Sequence, residues 1–206
     1  MTTLKSFAEL SLLSQTGREP LPVQRTTVWA LLMVRPDSEA KLHDFLVAEL
    51  GIRRRFLRRQ LHLTLYHARR PLPGLAPEEM PVDIQVPASR FRLMAMAPGG
   101  ENPRPDVDMA RVSIGLRVNR AASEADAIFR LRSRFYLHET PRVLGQRKPS
   151  HHRRSAFGAR SYQPHINLIW GGSGLDPDLT KAGTLFRALG PLVAFDRLVV
   201  RVNRGA

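Results

Sequence analysis

The sequence predicts an α+β protein built as two pseudo-symmetric lobes of antiparallel sheet, with outer helices, around a central cleft. Three observations lead there. Strand-like and helix-like segments follow one another in the order β-α-β, several strands, α, β-α-β. Two of the strands carry a histidine followed two residues later by a hydrogen-bonding residue, in His62-Leu63-Thr64-Leu65 and His165-Ile166-Asn167-Leu168. The two segments stand in similar surroundings, so each lobe is expected to offer one of them to a shared cleft.

Composition narrows the class further. The 206 residues are 43% hydrophobic and 24% charged, ordinary globular values that argue against wholesale disorder. Residues 26–206 are expected to form a single bilobal domain, preceded by a loosely ordered arm at 1–25 whose isolated leucines lack periodicity. The absence of cysteine removes disulfides, thiolate nucleophiles and cysteine-based zinc sites. No stretch approaches the roughly 18 apolar residues of a membrane span, and the N-terminal arm lacks a signal peptide's apolar core. The expectation is a cytoplasmic monomer with no membrane partner.

The elements follow in order. Thr26–Val34 is a β-rich apolar run bounded by Arg35-Pro36 and reads as a buried strand. Asp37 is placed to cap a helix reaching about Leu50, with Leu42, Phe45, Leu46 and Leu50 at helical spacing and Gly51 as the stop. Residues 71–82, with four prolines and a glycine, read as loop. Asp83–Val86, Phe91–Met96 and the alternating Arg111–Val118 read as strands. A helix from about Ala121 to Leu137 has Ser123 and Asp126 at capping-box spacing. Gly171-Gly172-Ser173-Gly174 is a strand-to-helix connection, since no Gly-Lys-Ser/Thr follows it. Asp176 then caps a helix that Pro177 opens and Gly190 ends, and Leu192–Val202 is an apolar strand expected at the sheet's centre.

Net charge is +14, and 28 of the 32 basic residues are arginine. Such a potential draws polyanions, and arginine's planar fork suits phosphate. The charge is clustered. Arg53, Arg54, Arg55, Arg58 and Arg59 lie just before His62, and the long patternless stretch at about 138–163 carries Arg147, Arg153, Arg154 and Arg160. These are the candidate contacts to an RNA backbone, and Tyr162 is a candidate for stacking on a base.

In a strand, alternate side chains share a face, so His62 with Thr64, and His165 with Asn167, point one way while the leucines and isoleucine point the other. If the two strands lie side by side, two imidazoles converge with a hydroxyl and an amide. That set suits a phosphodiester: one imidazole removes a proton, the other supplies one, and the neighbours donate to phosphate oxygens. His67, at an odd spacing from His62, falls on the opposite face and reads as a packed or surface residue. Neither strand brings Asp or Glu onto the histidine face, and the adjacent His151-His152 lack a carboxylate partner, so neither metal nor cofactor is expected.

The two tetrapeptides resemble the paired His-x-[Thr/Ser]-x motifs of the 2H phosphoesterases, the superfamily of bacterial 2′-5′ RNA ligases and cyclic nucleotide phosphodiesterases. Tyr162 and Pro164 before the second histidine, and the helix and apolar strand after it, extend the likeness. Asn167 departs from it, standing where the family usually has a hydroxyl. The resemblance implies a 2H-like bilobal fold and a metal-independent phosphoesterase. His62 and His165 would be catalytic and Thr64 and Asn167 would bind phosphate, acting on RNA ends or small nucleotides with a 2′,3′-cyclic phosphate or a 2′-5′ linkage. The alternative is a non-catalytic RNA- or nucleotide-binding module with the same cleft.

Overall fold

Among the described residues, seven strands form one antiparallel sheet, and three helices complete an α+β architecture. The computed structural model describes residues 27–68, 74–96, 113–119, 121–135, 163–169 and 179–203. The expected arm, the basic loop with Arg147, Arg153, Arg154, Arg160 and Tyr162, and the glycine-rich connection with Asp176 and Pro177 lie outside these residues.

The strands are β1 (Thr27–Val34), β2 (His62–Ala68), β3 (Glu78–Val86), β4 (Phe91–Met96), β5 (Ser113–Val118), β6 (His165–Asn167) and β7 (Val193–Asn203), and they lie in the order β3-β7-β1-β2-β6-β5-β4. The last strand pairs with both β1 and β3 and so lies inside the sheet. Its neighbour β3 begins well before the predicted Asp83 and runs through Pro81, where the sequence predicts loop. Proline is tolerated there because β3 is an edge strand, where a missing N–H need not break a ladder. Its pairing to β7 shifts register between Pro81 and Ile84, as expected where that donor is absent.

The helices are α1 (Pro36–Ala48), α2 (Ser123–Ser133) and α3 (Leu179–Leu189). Two caps differ from expectation. Pro36 opens α1 with Arg35 as its N-cap, so Asp37 sits in the first turn, paired with Arg35 at 2.5 Å. Ala122 precedes α2, and Ser123 Oγ donates to Glu124. The stops agree with expectation: Gly51 takes φ 65, Ile52 N–H reaches Leu46 O at 3.0 Å, and Gly190 ends α3. A Cβ on Gly190 would meet Phe186 O at 2.4 Å, so this close approach requires glycine.

All three helices cover one face of the sheet. Leu42, Phe45 and Leu46 of α1, Ala125 and Ile128 of α2, and Ala182 and Phe186 of α3 join Ala30, Leu32, Leu63, Ile166 and Leu198 in a single apolar core. Phe186 meets Phe45 and Phe91 edge to face, at 5.4 and 6.3 Å. The opposite face carries His62, Thr64 and His67 of β2 beside Trp29, Leu31 and Met33 of β1, which pair with them.

Candidate active site

The two histidine strands are neighbours, joined where Leu63 pairs with Ile166. One step either way along this antiparallel pair sets His62 opposite Asn167 and Thr64 opposite His165. The four side chains form a square on one face, with the histidines on a diagonal about 7–8 Å apart at the backbone. All four are half-buried, while Leu63 and Ile166, on the other face, are fully buried. The neighbour directly across from each histidine is therefore the Thr or Asn of the other motif.

Both imidazoles are held alike. His62 Nδ1 lies 2.9 Å from Gln60 O, and His165 Nδ1 lies 2.8 Å from Gln163 O. A carbonyl only accepts, so Nδ1 carries the proton in each ring and Nε2 is the basic nitrogen of the neutral form. The Asn167 Oδ1 is buried without a hydrogen-bond partner among the described residues. An orphaned acceptor of this kind costs about 1–3 kcal/mol.

The turn before His62 is fixed from α1. Gln60 takes φ 54, a conformation few non-glycine residues adopt. Glu39 clamps it: its carboxylate oxygens accept the backbone N–H groups of Gln60 at 3.0 Å and Leu61 at 2.8 Å. The carbonyl orienting His62 thus belongs to a residue held by a carboxylate. Nothing local in the sequence marks Glu39, because its partners lie on the far side of the loop after α1.

Farther along β2, a bulge at Leu65 changes the phase of the strand, for Leu31 pairs with Thr64 but Ala30 with Tyr66. His67 consequently falls on the face of His62, not the opposite one, and stacks on Trp29 at 3.8 Å. It is packed, as expected, at 8% exposure. The bulge is pinned from α2 by the buried Arg132, whose guanidinium donates to Leu65 O and lies over the Tyr66 ring.

The arginine run is stitched to the second motif. Leu57 bridges Ile169, and Arg58 N–H donates to Leu168 O at 2.8 Å. Burial of the Arg58 side chain pushes its pKa down from the usual guanidinium value. Arg54 pairs with Asp44 at 2.8 Å, both exposed, and Arg55 lies over the Phe56 ring. A hollow of about 600 Å³ opens beside the start of β2, lined by Met33, Glu39, His43, Arg59, Gln60 and Arg197 among others. On the other side, register adds two residues that sequence reading placed on strands but not at the site: Arg117 faces His165 across β5–β6, and Arg92 faces Arg117 across β4–β5.

Among the described residues, no group of three or more His, Asp or Glu gathers into a metal site, and no helix is long and apolar enough to cross a membrane. No protein-family model matches the chain, and no curated protein matches it.

Proposed function

We propose that the chain is a metal-independent phosphodiesterase of the 2H type, opening 2′,3′-cyclic phosphates or 2′-5′ linkages on RNA ends or small nucleotides without a cofactor. The carrying observation is the square of His62, Asn167, Thr64 and His165, with each Nδ1 turned to a carbonyl. One Nε2 takes a proton from water as the water oxygen attacks phosphorus in line. The bond from phosphorus to a ribose oxygen breaks, and the second imidazolium gives that oxygen its proton. Thr64 and the Asn167 amide donate to the non-bridging oxygens as their charge grows.

In this reading β3, β7, β1 and β2 form one lobe and β6, β5 and β4 the other, their cleft lying over the β2–β6 seam. The hollow beside Gln60 has a volume suited to a nucleoside, and the Arg53–Arg59 run lies along the path of an RNA backbone. The test is incubation of the full chain with adenosine 2′,3′-cyclic phosphate in chelator. Release of the monoester is expected; binding without turnover would leave the module reading in its place.

A further inference from the structure

The bulge that moves His67 builds an aromatic pair on the face of the histidine square. Trp29 of β1 stands directly opposite His67, their rings stacked at 3.8 Å, and Leu31, the next β1 residue on this face, stands opposite Thr64. Trp29 is therefore diagonal to Thr64, about 7–8 Å away at the backbone, a span that aromatic side chains cover. His67 is buried, whereas Trp29 is half-buried. The rings lie 24° from parallel and stack across the β1–β2 pair, so the far side of the indole is turned toward β7, where Arg201 stands directly opposite Trp29. No other ring and no cation lies on Trp29 among the described residues.

Arg201 is exposed and has no ion pair among the described residues. It lines the hollow of about 600 Å³ together with Met33, the residue directly opposite His62. One hollow thus runs from beside His62 to beside Trp29, about 13 Å along β1, which is room for a ribose and its base. Both carboxylates of its described lining are engaged: Glu39 accepts the N–H groups of Gln60 and Leu61, and Glu79 pairs with Arg197 at 3.3 Å.

We infer that Trp29 is the nucleobase platform of this site. The base of the nucleoside whose cyclic phosphate lies on the square stacks on the indole, with His67 behind the indole and the planar Arg201 guanidinium over the other side of the base. The inference rests on the proposed function and gives its substrate class: nucleosides with any base, since stacking uses the π-face that every base has, in preference to ribose phosphates without one.

The experiment is calorimetric titration of the full chain with adenosine 2′-phosphate and with methyl riboside 2′-phosphate, ring-opened monoesters that the reaction does not consume, for the parent, Trp29→Phe, Trp29→Leu and Arg201→Gln. The parent should bind the adenosine compound roughly five- to a hundredfold more tightly, the worth of one stacked base. Trp29→Phe keeps a ring and should keep most of that ratio. Trp29→Leu keeps apolar bulk without a ring, and its ratio should fall toward one, while Arg201→Gln should lower it severalfold. Trp29 is one of two tryptophans in the sequence, and quenching of fluorescence by the adenine should vanish in Trp29→Phe. A parent ratio of one, a parental ratio in Trp29→Leu, or quenching that survives in Trp29→Phe overturns the platform, and an unchanged ratio in Arg201→Gln strikes the guanidinium from it. A parent with this base preference that leaves the cyclic phosphate intact would count against the proposed reaction alone; hydrolysis with a ratio of one would count against the platform alone.

Discussion

The two histidine motifs carry the same equipment on different supports. In β2 the histidine opens a seven-residue strand whose entry turn is clamped by Glu39 and whose far end is re-phased by a bulge that Arg132 holds. In β6 the strand is three residues long, and its backbone is held from both sides: Val118 N–H donates to Pro164 O, Leu168 N–H to Ile114 O, and Arg58 N–H to Leu168 O. Side chains from two helices help to position the first motif, while main-chain hydrogen bonds from β5 and from the arginine run help to hold the second. Point substitutions outside the square should therefore reach His62 far more readily than His165.

The largest such effect is expected from Arg132→Ala. It removes a side chain only 2% exposed and strips the Leu65 carbonyl of its donor, which together amount to about 3 kcal/mol of unfolding free energy. Chemical denaturation measures that loss, and amide exchange should rise along β2 before β6; uniform exchange would erase the contrast. Glu39→Gln comes next. A neutral amide cannot accept two N–H groups with both its terminal atoms, so about 1–2 kcal/mol should be lost. Imidazole NMR shifts of His62 should move while those of His165 stay, and equal movement of both would break the comparison. The smallest effect is Gln60→Gly. Glycine adopts φ 54 without strain, so stability should change by no more than about 1 kcal/mol, while the loosened turn lowers turnover by less than the Glu39 substitution does. A larger loss would mean that the Gln60 side chain itself is used.

Much of the site was legible because it rests on a local rule. The period of two along a strand put His62 with Thr64, and His165 with Asn167, on one face without knowledge of the partner strand. What the sequence could not yield was non-local or broke that period. Which strand lies beside β2 depends on packing across the whole chain, so the cross-motif pairing of His62 with Asn167, and the row through Arg117 to Arg92, came only with the sheet order. The Leu65 bulge inserts one residue into an otherwise regular alternation and moved His67 to the other face. Pro81 read as a loop former because edge position, which excuses proline, is a property of the sheet. Helix stops were legible through Gly51 and Gly190, whereas the starts of α1 and α2 differ by a residue or two where Arg35 and Ala122, without a side-chain cap bond, stand at the N-cap.

The central claim is that two imidazoles on adjacent strands act together on one phosphodiester. Its most direct test is the hydrolysis rate of adenosine 2′,3′-cyclic phosphate in chelator for the parent, His62→Ala, His165→Ala and the double variant, each followed across pH. Either single substitution should lower the rate by roughly 10²–10⁴, the usual worth of a positioned acid or base. The parent's pH profile should be bell-shaped, because one ring must be neutral and the other protonated. The double variant should lose far less than the product of the two single losses, as groups acting in one transfer do. A single variant with near-parental rate, or a double loss equal to that product, would contradict the pair.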